Sequence, residues 1–196
     1  MGIVADVSRS RSLMLERPGN PLYRLGGFSP DLGGSVLAQV LDPQWRGEVP
    51  GVDYDAVRAE IRTVLEAYHQ GWSRAVHDVS DGGTLVALAE MALGPVGRPR
   101  HGARLDLAPF ASAHGDLEAC FGEAGGFVVE VAREHAVDFE SAAARHGAVC
   151  QKLGEVVDEL TLRVEGLQQG TVTVTLDALR HAHENTMPRL LSREDA

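Results

Sequence analysis

The sequence has few basic residues, and that shortage excludes two kinds of partner. Lys and Arg number 18 against 28 Asp and Glu in 196 residues, which gives a formal net charge of −10. Domains that bind nucleic acid cluster Lys and Arg on one face, and domains that bind anionic membranes carry similar basic clusters. The charge balance therefore predicts no nucleic-acid partner and no membrane partner.

Cysteine and long apolar runs are also scarce. Cys120 and Cys150 form no CxxC pair or other metal-ligand spacing, so we expect reduced, buried thiols and a cytoplasmic protein. No stretch approaches the roughly 20 apolar residues that cross a bilayer. Residues 1–6 lack the basic and apolar regions of a signal peptide. Neither a GxGxxG after a strand nor a GxxxxGK(S/T) phosphate loop occurs.

Short strands and helices alternate along the chain and predict an α+β fold, in which one sheet carries helices on its face or faces. The clearest helix begins after Asp53 and ends at Gly71, and one face of its 3.6-residue period carries Val57, Ile61, Val64, Leu65 and Tyr68. After a domain of residues 1–176, residues 177–196 are predicted as a terminal helix or linker, interrupted at Pro188. The other predicted helices are 36–41, 84–93, 111–120 and 136–146, and the predicted strands are 3–7, 22–25, 74–76, 103–107, 127–132, 148–153, 161–164 and 171–175.

The most informative segment is HDVSDGG at residues 77–83, which joins a predicted strand to a predicted helix. The first N–H groups of a helix lack internal partners and carry partial positive charge, and glycines let an anion approach them. Asp78 and Asp81 add carboxylates, which suit a hard cation such as Mg²⁺. The segment therefore predicts a corner that holds a phosphate and its metal together. In the simpler alternative, Ser80 or Asp81 is only an N-cap and the two glycines form a tight turn.

Residues 75–91, AVHDVSDGGTLVALAEM, resemble the phosphoribosylformylglycinamidine synthase family, in the C-terminal domain of the second half of its synthetase region. Three further stretches agree with that family in order and spacing: residues 3–8, residues 19–26 with 32–35 (GNPLYRLG and LGGS), and residues 121–131. The resemblance covers about residues 3–176 and implies a domain of the aminoimidazole-ribonucleotide-synthetase superfamily. The implied fold is an α/β/α layered sandwich with a mixed sheet.

The resemblance also implies an activity and a set of site residues. The family's enzyme is an ATP-dependent amidotransferase of purine biosynthesis, which converts formylglycinamide ribonucleotide and glutamine to formylglycinamidine ribonucleotide. By this likeness, Mg²⁺ and ATP or ADP are the cofactors, and Asp78 is a metal ligand. Ser80 would contact the nucleotide phosphates, and His77 would orient the loop. The expected nucleotide-binding residues are His77, Ser80, Asp81, Gly82, Gly83 and Glu123. A solvated turn residue is the open alternative for Glu123.

The partners follow from what the resemblance leaves out. The family's catalytic residues lie mostly in its other domains, and nothing in this sequence supplies a glutaminase. We therefore expect the remaining synthetase domains and a glutaminase domain or subunit as partners, a possible homodimer, and no activity for the chain alone. Two alternatives are another ATP-dependent enzyme of the same superfamily and a non-catalytic structural or interface module. The sequence leaves open whether the parent is a long single chain or a short subunit, and whether the nucleotide site is catalytic, structural or vestigial.

Overall fold

A computed structural model describes residues 6–7, 10–29, 31–42, 44, 47–94 and 101–192 of the chain. Most of the predicted strand at 3–7 lies outside these residues. Within them, no helix is both long and apolar enough to cross a membrane.

The described residues form one mixed seven-stranded sheet, with strand order β2-β4-β1-β5-β3-β6-β7. Neighbouring strands are antiparallel except for β3 and β6, which are parallel. The strands are β1 Pro21–Leu25, β2 Ser73–Asp78, β3 Gly102–Asp106, β4 Phe127–Val131, β5 Cys150–Val157, β6 Thr161–Glu165 and β7 Val172–Thr175.

Helices cover both faces of the sheet, which confirms the predicted α/β/α sandwich. Side chains alternate between the faces along each strand: on β1, Leu22 belongs to the core cluster that includes Leu88 and Phe110, whereas Tyr23 belongs to the cluster on the other face that includes Ala67 and Phe139. The helices are α1 Val36–Leu41, α2 Tyr54–Gln70, α3 Gly83–Leu93, α4 Ala108–His114, α5 Asp116–Phe121, α6 Ala136–His146 and α7 Leu176–Leu191.

Two predicted helices differ in the structure. The segment predicted as one helix at 111–120 belongs to two helices, α4 and α5, because Gly115 adopts φ 104° between them. A helix cannot continue through that backbone conformation. The last helix begins at Leu176 and continues through Pro188 to Leu191. The predicted interruption at Pro188 is therefore wrong.

Helix α2 has the predicted ends, and it turns its smaller side chains toward the protein. Asp53 Oδ1 accepts the N–H groups of Asp55 and Ala56, and Gly71 ends the helix at φ 75°. The buried side is formed by Ala59, Glu60, Thr63 and Ala67. The larger apolar residues of the predicted face, Val57, Ile61 and Leu65, are exposed. The other two residues of that face, Val64 and Tyr68, are half-buried, and Val64 packs against the core.

A buried carboxylate ties the segment before β1 to the sheet. Glu130 on β4 accepts the N–H groups of Glu16 at 2.7 Å and Arg17 at 3.0 Å, and the side-chain amide of Asn20 at 2.6 Å. Burial raises the pKa of Glu130, and the three hydrogen bonds oppose that effect. The Glu130 side chain therefore fixes the segment that leads into β1.

The two cysteines are unpaired thiols. Cys120 is buried and Cys150 is partly buried, and burial raises their pKa values to about 11 and about 12. Because the thiolate is the reactive form, neither residue is suited to act as a nucleophile near neutral pH.

Candidate functional site

The HDVSDGG segment forms the predicted corner between a strand and a helix. Strand β2 ends at Asp78, and the next N–H, of buried Val79, donates to Gly126 O at 2.8 Å. The chain then turns, with the Gly83 N–H donating to Ser80 O at 3.0 Å, and α3 begins. Asp78, Ser80 and Asp81 are all exposed at this turn. The structure thus presents two carboxylates and one hydroxyl beside a helix start.

The two glycines of the corner are required by its packing. Gly82 and Gly83 adopt φ 81° and 72°, which side chains other than glycine rarely adopt. A Cβ atom on Gly83 would lie 2.5 Å from the backbone carbonyl carbon of Phe121, at the end of α5. Helix α3 therefore begins in close contact with the backbone of α5. Close approach of a phosphate to these glycines stays a prediction.

Neither Ser80 nor Asp81 caps α3, so the simpler interpretation of these residues is wrong. Gly82 is the N-cap residue and has no side chain that could cap the first turn. In the first turn of α3, the buried Thr84 hydroxyl has no hydrogen-bond partner among the residues that the structure describes. A buried hydroxyl of this kind is compatible with a bound polar ligand at the helix start.

Glu123 contacts the corner, although it lies 41 residues away from Gly82 in sequence; its predicted role in nucleotide binding stays a prediction. Its Oε1 accepts the Gly82 N–H at 2.7 Å and the Val36 N–H, at the start of α1, at 2.8 Å. One carboxylate thus lies between two helix N-termini, where their partial positive charges favour it. Glu123 is a structural part of the corner and not a solvated turn residue.

His77 connects the corner to the body of α3. Its Nε2 lies 3.0 Å from Glu90 Oε2, and its Nδ1 lies 2.7 Å from Asp78 O. Both ring nitrogens are therefore engaged by protein oxygens, and the side chain is mostly buried. These contacts are those expected of a residue that orients the loop.

The residues at the corner supply carboxylates for a metal but not a complete metal site. Asp78 is largely exposed, and its nearest ion-pair contact is His77 Nδ1 at 3.4 Å. Among the described residues, no group of three or more His, Cys, Asp or Glu side chains could hold a metal ion. Mg²⁺ commonly binds one or two carboxylates and takes its other ligands from phosphates and water. The donor set therefore fits Mg²⁺ that arrives with a nucleotide.

A buried arginine that the sequence analysis did not single out holds the loops behind the corner. The Arg24 guanidinium donates to the carbonyl oxygens of Leu25 at 3.0 Å, Gly27 at 3.0 Å and Gly125 at 2.8 Å. It also lies 4.8 Å from the centroid of the Phe28 ring. Burial lowers the pKa of Arg24 to about 10, and the charge of Glu60 opposes that shift. Arg24 thereby fixes the loop whose Gly126 carbonyl anchors Val79.

A cleft of about 570 Å³ lies beside Glu123. Its wall includes Phe28, Asp53, Val57 and Glu60 in addition to Glu123, and residues 77–83 do not contribute to it. Glu60 is buried, and this burial raises its pKa. For Arg24, the sequence signal was an arginine inside an apolar strand. For Glu60, it was a glutamate on the small-residue side of α2.

The fold and the corner define an α/β/α domain that presents a glycine-rich helix start at the edge of a mixed sheet. Residues 17–166 match the family model described as AIR synthase related protein, C-terminal domain. The chain belongs to this family, which confirms the predicted superfamily and fold.

A named relative agrees with this family, and solved structures agree with the fold. The chain is 35% identical over 193 residues to phosphoribosylformylglycinamidine synthase subunit PurL of Streptomyces avermitilis, covering 98% of this chain and 24% of that protein. It therefore spans about a quarter of this relative's length. T. maritima PurL complexed with FGAR aligns with a TM-score of 0.74 at 20% identity, covering 89% of this chain and 30% of that one. T. maritima PurL complexed with ATP gives 0.67 at 21% identity, covering 89% and 28%. At these identities the two structures show a shared fold.

Proposed function

We propose that this chain is the C-terminal AIR-synthase-like domain of a phosphoribosylformylglycinamidine synthase. The observation that carries the proposal is the 35% identity to a PurL subunit across 98% of the chain. The corner that carries the most specific sequence resemblance is also folded as a strand, a tight turn and an uncapped helix. The activity of the parent enzyme would be ATP-dependent conversion of formylglycinamide ribonucleotide to formylglycinamidine ribonucleotide.

In this proposal the corner contributes part of a site for Mg²⁺ and ATP or ADP. Asp78 holds the metal, which neutralises phosphate charge when it is bound. The Ser80 hydroxyl contacts the phosphates, and Asp81 lies beside them. Gly82 and Gly83 keep the backbone close to the ligand, while His77 and Glu123 hold the corner in shape. The exposed side chains of Asp78, Ser80 and Asp81 support these roles, as does the buried Thr84 hydroxyl, which has no partner among the described residues.

The proposal also concerns the partners of the domain. Because the chain spans 24% of its PurL relative, the remaining domains of the synthetase and a glutaminase domain or subunit are the proposed partners. The chain alone is expected to be inactive, since one domain supplies only part of a site. A homodimer stays a prediction.

A second candidate function is a non-catalytic interface module. One observation favours it: Glu123 already places a carboxylate at the start of α3, where an anionic ligand would bind. Another enzyme of the same superfamily is less favoured, because the sequence match to a PurL subunit extends over nearly the whole chain.

Calorimetric titration of ADP into the chain, with and without Mg²⁺, tests whether the corner binds nucleotide without other domains. We expect saturable, Mg²⁺-dependent binding that Asp78→Ala abolishes. Asp158→Ala is the matched control, because Asp158 is 84% exposed and lies in the turn between β5 and β6, outside the corner. Binding that persists in Asp78→Ala contradicts the assignment of the metal ligand. No binding by the folded chain contradicts a nucleotide site on this domain alone and means that any such site needs another domain.

A further inference from the structure

Glu60 is a buried carboxylate on the wall of the cleft beside Glu123. Its side chain is only 6% exposed, and it makes no hydrogen bond or ion pair with any residue that the structure describes. The charge of Arg24 acts on it, but the hydrogen bonds of that guanidinium go to three carbonyl oxygens. Buried polar groups in folded proteins are hydrogen-bonded, so Glu60 is suited to accept from a ligand in the cleft.

A second carboxylate lies on the cleft side of α2, with an apolar side chain between the two. Asp53, Val57 and Glu60 all line the cleft, and steps of four and three residues place them in one row along the helix. The row extends about 10 Å along the helix axis. Because Asp53 is exposed and Glu60 is buried, it leads from the mouth of the cleft to its floor.

The rest of the cleft wall favours an organic ligand. Phe28, Val52 and Val149 contribute apolar side chains, and none of the described residues that line the cleft is Lys, Arg or His. The oxygen ligands of Mg²⁺ or Ca²⁺ lie within about 2.0–2.6 Å of the ion. Carboxylates about 10 Å apart along a helix therefore suit two separate cationic groups rather than one metal ion.

We propose that this cleft binds an aliphatic diamine, with one ammonium group at Glu60 and the other at Asp53. An ammonium group supplies three N–H donors and a positive charge, so it satisfies a carboxylate that has no other donor. The methylene chain between the two groups lies against Val57 and the other apolar residues of the wall, where its burial contributes to affinity.

The electrostatics of the cleft agree with a ligand that carries two positive charges. Burial raises the pKa of Glu60, the charge of Arg24 opposes that shift, and the charge of Asp53 adds to it. Asp53 and Glu60 therefore repel each other along the cleft wall. A diamine with one charge at each end relieves this repulsion and compensates the burial of Glu60.

The inference does not depend on the proposed enzyme function. Residues 77–83 do not line the cleft, and the test uses Glu60, which has no part in the proposed nucleotide corner. A failure of either proposal leaves the other standing.

Calorimetric titration of putrescine into the 196-residue chain tests the proposal. We expect saturable binding to one site, at least about tenfold tighter than that of butylammonium, which keeps the methylene chain but has only one ammonium group. Excess Mg²⁺ at matched ionic strength is expected to leave putrescine bound. Equal affinity for the two amines, or displacement by Mg²⁺, overturns the proposal, because either result means that separated ammonium groups are not recognised.

Three variants locate the binding. Glu60→Gln keeps the shape of the side chain and is expected to weaken putrescine binding at least about tenfold, since one charge-assisted hydrogen bond is lost. Glu159→Gln is the matched control, because it removes the same charge from an exposed turn outside the cleft; it is expected to leave the affinity unchanged. Ala56→Phe narrows the cleft without changing the charge and is also expected to weaken binding.

Circular dichroism of each variant checks that the fold is retained. A folded wild-type chain that does not bind putrescine overturns the proposal. So does an equal loss of affinity in Glu60→Gln and Glu159→Gln, which would show only a general attraction of cations to a chain with net charge −10. Unchanged affinity in a folded Ala56→Phe variant would place the binding outside this cleft and also overturns it.

Discussion

Replacing Glu123 with alanine removes one carboxylate that two helix starts share. The Gly82 N–H is buried and would lose its acceptor at 2.7 Å, while the Val36 N–H, at 2.8 Å, lies at an exposed residue and can bond to water instead. The change therefore leaves one unsatisfied donor at the beginning of α3. It also removes the negative charge that faces the N-termini of α1 and α3.

The expected loss of unfolding free energy follows from these two effects. An unsatisfied buried donor costs about 1–3 kcal/mol, and a favourable charge at a helix N-terminus contributes about 0.3–1 kcal/mol for each helix. We expect Glu123→Ala to lower the free energy of unfolding by about 3 kcal/mol on this basis. Glu123→Gln keeps an acceptor of the same shape and loses only the charge, so its expected cost is about 1 kcal/mol.

Urea unfolding followed by circular dichroism measures both costs in the same buffer. Glu159→Ala serves as the control, because Glu159 is an exposed carboxylate in the turn between β5 and β6. The denaturation midpoint is expected to fall in the order wild type, Glu123→Gln, Glu123→Ala, with the control near wild type. If Glu123→Ala has the same midpoint as the control, Glu123 does not hold the two helix starts, and the description of the corner is incorrect.

Two further variants test other parts of the structure. Gly83→Ala is expected to lower the thermal midpoint strongly, because it combines an unfavourable φ of 72° with a Cβ atom 2.5 Å from the backbone of α5. Gly147→Ala is the control, because Gly147 also has a positive φ, of 77°, but a Cβ atom added there would meet no neighbouring atom of the described residues within 4 Å. An equal fall of the thermal midpoint in both variants would show that the packing at Gly83 is unimportant. Burial raises the pKa of Glu130 in the folded protein. The stabilisation linked to this shift is therefore present at acidic pH and is lost as pH rises through the folded-state pKa. The unfolding free energy of wild type relative to Glu130→Gln should therefore fall as pH rises from the acidic range toward neutrality, and an opposite slope would mean that the hydrogen bonds outweigh the burial.

The parts of the structure that depend on neighbouring residues could be predicted from the sequence. Asp53 and Gly71 fix the ends of α2 through hydrogen bonds and a backbone conformation that involve only adjacent residues. The corner at 77–83 is likewise a local strand, turn and helix start. The break at Gly115 was missed because a glycine inside an apolar periodic segment is compatible with either a continuous helix or two helices.

The parts that depend on distant contacts could not be predicted in the same way. Periodicity identifies the apolar face of α2, but it does not say whether that face packs inside the chain or against another molecule. Arg24 and Glu60 are buried charges, and their sequence signal is that of ordinary polar residues. The position of Glu123 beside Val36 bridges 87 residues, and only the family resemblance placed it near the corner.

The proposed function makes this chain one domain of a phosphoribosylformylglycinamidine synthase with a nucleotide corner at Asp78. The direct test is a chimera in which the chain replaces the matching quarter of the S. avermitilis relative, assayed for ATP- and ammonia-dependent formation of formylglycinamidine ribonucleotide. We expect an active chimera that Asp78→Ala inactivates and Asp158→Ala does not. A folded chimera without activity, or one that Asp78→Ala leaves fully active, would contradict the claim.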